Sequence, residues 1–323
     1  METPSSQVTA PPAAGVRYEW QALPAQVRAR VGELLGSPVV EAVTQRGGFS
    51  PGVAARVRCA DGRRAFVKAV SAALNPHSPS LHRAEARNTA ALPPGVPAPR
   101  LLGSYDDGDW VALVLDDIEG TQPRIPWRRE ELDRVLDALT RLSATLTPAP
   151  YDAPRTEDVD ARMFQGWQRR LDSGAVAGLD PWVAGQLPRL AELASRWDEF
   201  AHGETLVHGD LRADNILLTA DGGAVFVDWP HAVRGAPWFD LLLMLPSVAA
   251  QGGPDPQELF TAHPLGRAAD PEGVTVVLAA LAGYFVHQSL KPAPPGLPTL
   301  RPFQAAQGAA AVAWLRRRLG EAG

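Results

Sequence analysis

The chain has 323 residues, 45% of them hydrophobic, with 31 basic against 36 acidic side chains and a formal net charge of −5. That mixture belongs to a soluble globular chain of one large domain or two lobes, and the acidic balance argues against nucleic-acid binding, which needs a basic excess. The lone cysteine, Cys59, excludes an internal disulfide and a cysteine-rich zinc site, and points to a reducing, cytoplasmic setting.

In chain order, METPSSQVTAPPAAGV has no positively charged start and no apolar core, so no signal peptide is expected there, and residues 1–18 are expected to form a flexible tail. A helix is predicted from Leu23 to Leu35, with Pro24 in its first turn and Val27, Val31, Leu34 and Leu35 on one face. Strand periodicity follows over 39–46, then the loop GGFSPG over 47–52. Residues 53–59 and 64–70 flank Asp61-Gly62 as a hairpin. Residues 81–92 are helical in pattern, and 100–105 and 110–115 are strands. Beyond about residue 120 helices dominate, led by the stripe Leu132, Val135, Leu136, Leu139, Leu142 and Leu146. A hairpin, NILL and AVFVD around TADGG, interrupts them. The apolar run over 274–290 is short for a membrane span and carries His287 and Gln288, so a buried helix is predicted there. The pattern predicts an α+β chain in two lobes: β-rich over 19–117, α-rich over 118–323, with a ligand cleft between them.

Two features carry chemistry. Of the 31 basic residues only Lys68 and Lys291 are lysine, so a lysine in mid-strand at position 68 asks for a reason. And LVHGDLRADNILLTADGGAVFVDWP, Leu206 to Pro230, packs His208, Asp210, Asn215 and Asp228 among apolar residues, where polar groups are costly unless paired. The hairpin brings Asn215 and Asp228 to one end. An amide oxygen beside a carboxylate suits Mg²⁺, which takes few protein ligands and fills its shell with water and phosphate oxygens. Asp210, just before them, is placed to accept a proton from an attacking hydroxyl.

HGDLRADN followed by VDW resembles the aminoglycoside phosphotransferase family, small-molecule kinases of the protein-kinase-like fold. The resemblance implies that Asp210 is the catalytic base and that Asn215 and Asp228 bind magnesium. It extends to Lys68 in AFVKAV as the phosphate-holding lysine and Glu85 in HRAEARN as its helical ion-pair partner. It makes GGFSPG, with Gly47, Gly48 and Ser50, the loop over the nucleotide. LVLDDIEG, with Asp116 and Ile118, becomes the hinge against it. His208 and Asp240 (in PWFDLL) would brace the catalytic loop. Arg212 has two readings, a contact to the transferred phosphoryl group or a solvent-facing side chain. No G-x-x-x-x-G-K sequence supports a Walker-type site.

The function implied is transfer of the γ-phosphoryl group of ATP or GTP, with Mg²⁺, to a hydroxyl of a small molecule. Only the eight residues WPHAVRGA separate Asp228 from Pro237, too few for the activation segment of a protein kinase. A nucleotide-binding pseudokinase without turnover is the non-enzymatic alternative. For the acceptor, an aminoglycoside or other antibiotic and a choline- or homoserine-like amino-alcohol both stand. Residues 151–206 hold ten acidic and six basic residues, a mild acidic bias. Trp127, Trp167, Trp182, Trp197 and Trp238 are candidates either for a stacking site or for the core.

Overall fold

The computed structural model describes residues 9–159 and 163–320. Its first half is a five-stranded antiparallel sheet in the order β1-β2-β3-β5-β4, from β1 (Val39–Thr44), β2 (Val53–Cys59), β3 (Arg64–Ser71), β4 (Leu101–Asp106) and β5 (Trp110–Leu115). Alternation along these strands sorts their side chains to two faces. Val53, Ala55, Val57, Val67, Ala112 and Val114 pack under α1 (Ala25–Leu35) through Val27, Val31 and Leu35. Val111, Leu113 and Leu115 face the other way with Phe66, towards α2 (Ser78–Ala91) and Ala86. Lys68 is paired across the ladder with Leu113 and so belongs to this second face.

The second half is mostly helical. It contains α3 (Arg129–Thr145), α4 (Thr156–Val159), α5 (Gly166–Ser173), α6 (Pro181–Ser195) and α7 (Asp198–Ala201), then α8 (Phe239–Ala250), α9 (Pro256–Ala262), α10 (Pro264–Arg267), α11 (Pro271–Ser289) and α12 (Leu300–Arg318). Between α7 and α8 lie two small two-stranded sheets: β6 (Thr205–Val207) with β9 (Val233–Gly235), and β7 (Ile216–Leu218) with β8 (Ala224–Phe226). The buried stripe of α3 and almost the whole girth of α11 join one apolar core with Phe226, Trp229 and Phe239. No helix among the described residues is long and apolar enough to cross a membrane.

Three local expectations change. Helix α2 starts at Ser78, three residues before Leu81, because Asn75 Oδ1 accepts the N–H groups of His77 and Ser78 at 3.0 and 3.1 Å and Pro79 suits the first turn. Leu34 lies off the Val27-Val31-Leu35 stripe, is 39% exposed, and covers Gly103 of β4. Residues 9–18, expected as a loose tail, are bonded at several points. The N–H groups of Thr9 and Ala10 donate to the Ala250 carbonyl at 2.9 and 3.0 Å, and Val16 donates to Gly296 at 2.8 Å. Tyr18 donates to Gly52 at 3.1 Å. Composition reports on side chains, whereas this strap is held by its backbone. It runs from the helical half to the glycine loop of the sheet. Gly52 sits there at φ 119°, where a Cβ would come within 2.6 Å of the Ala69 carbonyl oxygen.

Candidate active site

The site begins with three charges. Lys68 Nζ lies 2.7 and 2.8 Å from the two carboxylate oxygens of Glu85 and 2.7 Å from Asp228 Oδ1. Glu85 is 2% exposed and belongs to no surface pair, since Arg83 is taken by Asp106. Burial opposes the charge on Lys68, but Asp228 and Glu85 outweigh it and raise the ammonium pKa. Burial likewise opposes the charge on Asp228, yet Lys68 holds that carboxyl well below the usual range. Glu85 is pushed up to about 7 by burial, against the pull of Lys68. Asp228 is the non-glycine residue with positive φ among the described residues, at 71°. Aspartate is among the few non-glycine residues that visit this left-handed region, and here its carboxylate is held by Lys68.

The loop before β7 holds the second group. Asn215 Nδ2 donates to the Asp210 carbonyl at 2.8 Å and to Asp210 Oδ2 at 3.3 Å, which leaves the amide oxygen of Asn215 as an acceptor. Val227 N–H donates to the Asn215 carbonyl at 2.9 Å, so Asn215 and Asp228 do share one hairpin end. Arg212 is ion-paired with Asp210, grips Asp214 with two bonds of 3.0 Å, and lies over the Phe49 ring at 5.4 Å. Its side chain is therefore in the site, not in solvent.

Behind the loop, Asp240 accepts from the backbone N–H of His208 at 2.7 Å and of Gly209 at 2.9 Å. His208 Nε2 is 3.0 Å from the Val227 carbonyl, and its Nδ1 is 3.3 Å from Asp210 N–H. A carbonyl only accepts and an amide N–H only donates, so the proton is on Nε2 and the ring is neutral, in line with a pKa lowered by burial. Gly209 is required between them: at φ 79°, a Cβ would sit 2.4 Å from the His231 carbonyl oxygen.

Two cavities meet here. One, of about 290 Å³, is lined by Gly47, Gly48, Ser50, Lys68, Glu85, Asp116, Ile118, Asn215 and Asp228, with an apolar side from Val53, Phe66, Leu115 and Leu217. The other, of about 350 Å³, holds Asp210 and Arg212 and shares Phe49, Ser50, His82, Glu85 and Asp228 with the first. His208 and Asp240 lie behind the cavities. Asp116 lines the first cavity, but its carboxylate is bound to Arg100 at 2.7 Å. Of the five tryptophans, none lines either cavity; Trp127, Trp167, Trp197 and Trp238 are core residues.

Two lining residues escaped sequence reasoning. Arg17 donates to the Gly47 carbonyl at 3.1 and 2.6 Å and to the Ser50 carbonyl, which puts a guanidinium in the first cavity. No local pattern marks it. His82, 4% exposed, donates from Nδ1 to the Ser78 carbonyl at 3.1 Å and lines both cavities. No local pattern marks it either, since the helix was expected to begin only at Leu81.

A β-rich sheet over a helical half, with ion pair, loop and hairpin at their junction, is the protein-kinase-like fold. Solved structures agree. A thermostable mutant of aminoglycoside phosphotransferase APH(4)-Ia, in ternary complex with ADP and hygromycin B, has a TM-score of 0.59 to this chain. That match covers 90% of this chain and 98% of that one at 16% identity. Choline kinase LicA from Streptococcus pneumoniae has a TM-score of 0.60, with 90% and 98% coverage at 13% identity. An aminoglycoside phosphotransferase from Alicyclobacillus acidocaldarius subsp. acidocaldarius has 0.53, with 87% and 92% coverage at 15% identity. At such identities the likeness speaks for the fold. No curated protein matches the chain by sequence. The profile of the phosphotransferase enzyme family (APH) matches residues 46–276, and the chain belongs to that family of small-molecule kinases.

Proposed function

We propose that the chain moves the γ-phosphoryl group of ATP or GTP to a hydroxyl of a small molecule in the cytoplasm. Residues 19–117 form the nucleotide lobe, and 118–323 carry the catalytic loop and the acceptor site. The observation that supports this best is the meeting of two cavities at Asp228, one lined by Lys68 and the glycine loop, the other by Asp210.

Lys68, oriented by Glu85, faces the triphosphate with a charge that is already desolvated, and Arg17 adds a second cation under the glycine loop. The Asn215 amide oxygen and the Asp228 carboxylate fit a magnesium ion, which when bound neutralises charge on the phosphate oxygens. Asp210 accepts the hydroxyl proton as the acceptor oxygen bonds to the γ-phosphorus. The bond from that phosphorus to the bridging oxygen breaks, and the nucleoside diphosphate leaves. Asn215, and His208 with Asp240 behind it, hold Asp210 in position.

Among acceptors, a polycationic aminoglycoside fits least. Among the described residues, the carboxylates of the second cavity are Glu85, Asp210 and Asp228, and each already has a cationic partner in Lys68 or Arg212. The test is magnesium-dependent diphosphate release against a panel of alcohols, comparing the wild type with Asp210→Asn. We expect a loss of ~10²–10⁴-fold in turnover with nucleotide binding retained. Wild-type turnover in the variant would remove Asp210 from the mechanism.

A further inference from the structure

Behind the wall of the second cavity, joined to it through Gln304, lies a group of basic side chains for which phosphoryl transfer has no use. Arg301, in the first turn of α12, donates from Nη1 to Gln304 Oε1 at 2.7 Å, and Gln304 lines the cavity. The same nitrogen reaches Gln288 Oε1 at 3.2 Å, while Nε reaches the Pro292 carbonyl at 3.1 Å. Arg170 of α5 donates to the His287 carbonyl at 3.4 Å, and Lys291 follows His287 by one helical turn. Among the described residues none of Arg169, Arg170, His287, Lys291 and Arg301 makes an ion pair with a carboxylate, whereas Arg196 and Arg317 in the same half each do. Arg170 Nε and His287 Nδ1 are buried with no hydrogen-bond partner.

The electrostatics agree with this geometry. Burial pushes Lys291 down, and Arg169, Arg301 and Arg170 push it further. His287 is lowered to about 4 by burial and then by Lys291, Arg170, Arg169 and Arg301. Cations gathered without a carboxylate partner among the described residues, in a chain of net charge −5, form an electrostatic well for an anion.

We propose that Arg301 and Lys291, supported by Arg169 and Arg170, bind an anionic group of the phosphoryl acceptor. The acceptor is then an alcohol carrying a carboxylate, phosphate or sulfate, with an apolar body against Leu243, Leu281 and Phe303 and its hydroxyl at Asp210. This rests on the reading of the second cavity as the acceptor site.

The test is calorimetric binding of three alcohols that share one body: 4-(hydroxymethyl)benzoate, its neutral amide, and 4-(hydroxymethyl)benzylamine. The benzoate should bind at least ~10-fold more tightly than the amide, and the amine most weakly. The double variant Lys291→Gln, Arg301→Gln should lose that preference while keeping the basal, acceptor-independent nucleotide hydrolysis of the wild type. Equal affinity for benzoate and amide, or a preference that survives in the double variant, would overturn the proposal. If all three compounds are too weak to measure, inorganic sulfate decides: it should raise the wild-type Tm and leave that of the double variant, and of Lys291→Ala, unchanged. Equal shifts, or none, would also overturn it. Failure of the catalytic reading shows separately, as turnover that Asp210→Asn does not reduce.

Discussion

Lys68 brings its charge into the protein because Glu85 and Asp228 both meet it at 2.7 Å. Removing one partner from a buried charge group costs ~3–5 kcal/mol, because the others are left uncompensated. The pH behaviour follows from Glu85. It is pushed up to about 7 by burial, with Lys68 opposing and Asp228 adding to the rise, so its ionised form gains population as pH climbs through that value. Nucleotide kcat/KM should therefore rise across about pH 7, and Glu85→Gln should remove that limb and lower the plateau. A limb unchanged in Glu85→Gln would assign it to another group. His82 behaves in the opposite sense. Burial, and then Lys68, lower it from 6.5 to about 4, so the fold prefers the neutral ring. That contribution is complete above pH 6.5 and is lost as pH falls through 4, to an amount on the order of 3 kcal/mol at most. Tm plotted against pH should be flatter over that window in His82→Gln than in the wild type; the same slope in both would refute it.

At the scale of elements, the strap of residues 9–18 and the loop over 47–52 act as one piece with α12. Arg17 is hydrogen-bonded to the loop carbonyls, and Phe49 of the same loop meets Phe303 of α12 edge-on at 5.2 Å. Arg17→Ala should raise KM for the nucleotide ~10-fold, the scale of one charge-assisted hydrogen bond, and change kcat less. Arg17→Lys should recover part of this, since it restores the charge but not the forked geometry. An unchanged nucleotide KM in Arg17→Ala would confine Arg17 to holding the loop. The strap and the loop also show where sequence reading stopped. The glycine loop was legible as a break between two strand patterns. The strap was not, because backbone N–H groups bonding to Ala250 and Gly296 leave no trace in side-chain periodicity.

For the whole molecule, the consequence is linkage between the halves. The first cavity takes its lining from both of them, Lys68 and Glu85 from one and Asn215 and Asp228 from the other. A ligand bound there stabilises the closed arrangement, by about 2.7 kcal/mol at a hundredfold excess over Kd. For a chain of this size that is a Tm increase on the order of 5 °C with magnesium and nucleotide together. Asp228→Asn should lose the magnesium-dependent part of the shift, and an undiminished shift would exclude Asp228 as a ligand.

What the sequence by itself determined is the meeting of polar residues that lie within and just before one hairpin. Asp210, Asn215 and Asp228 are close along the chain, so the turn chemistry and strand pattern around them suffice to bring them together. Lys68 stood out as a lysine in mid-strand, whereas Glu85 came only from the family resemblance. The tertiary structure decided the rest. The Lys68–Asp228 pair spans 160 residues, and Arg301 is hydrogen-bonded to Gln304 in the wall of the second cavity, from the first turn of a helix that shows no motif. Arg17 enters the first cavity from a segment whose composition reads as tail. Such contacts follow from how one element packs on another, a property of the whole core that no window of a few residues contains.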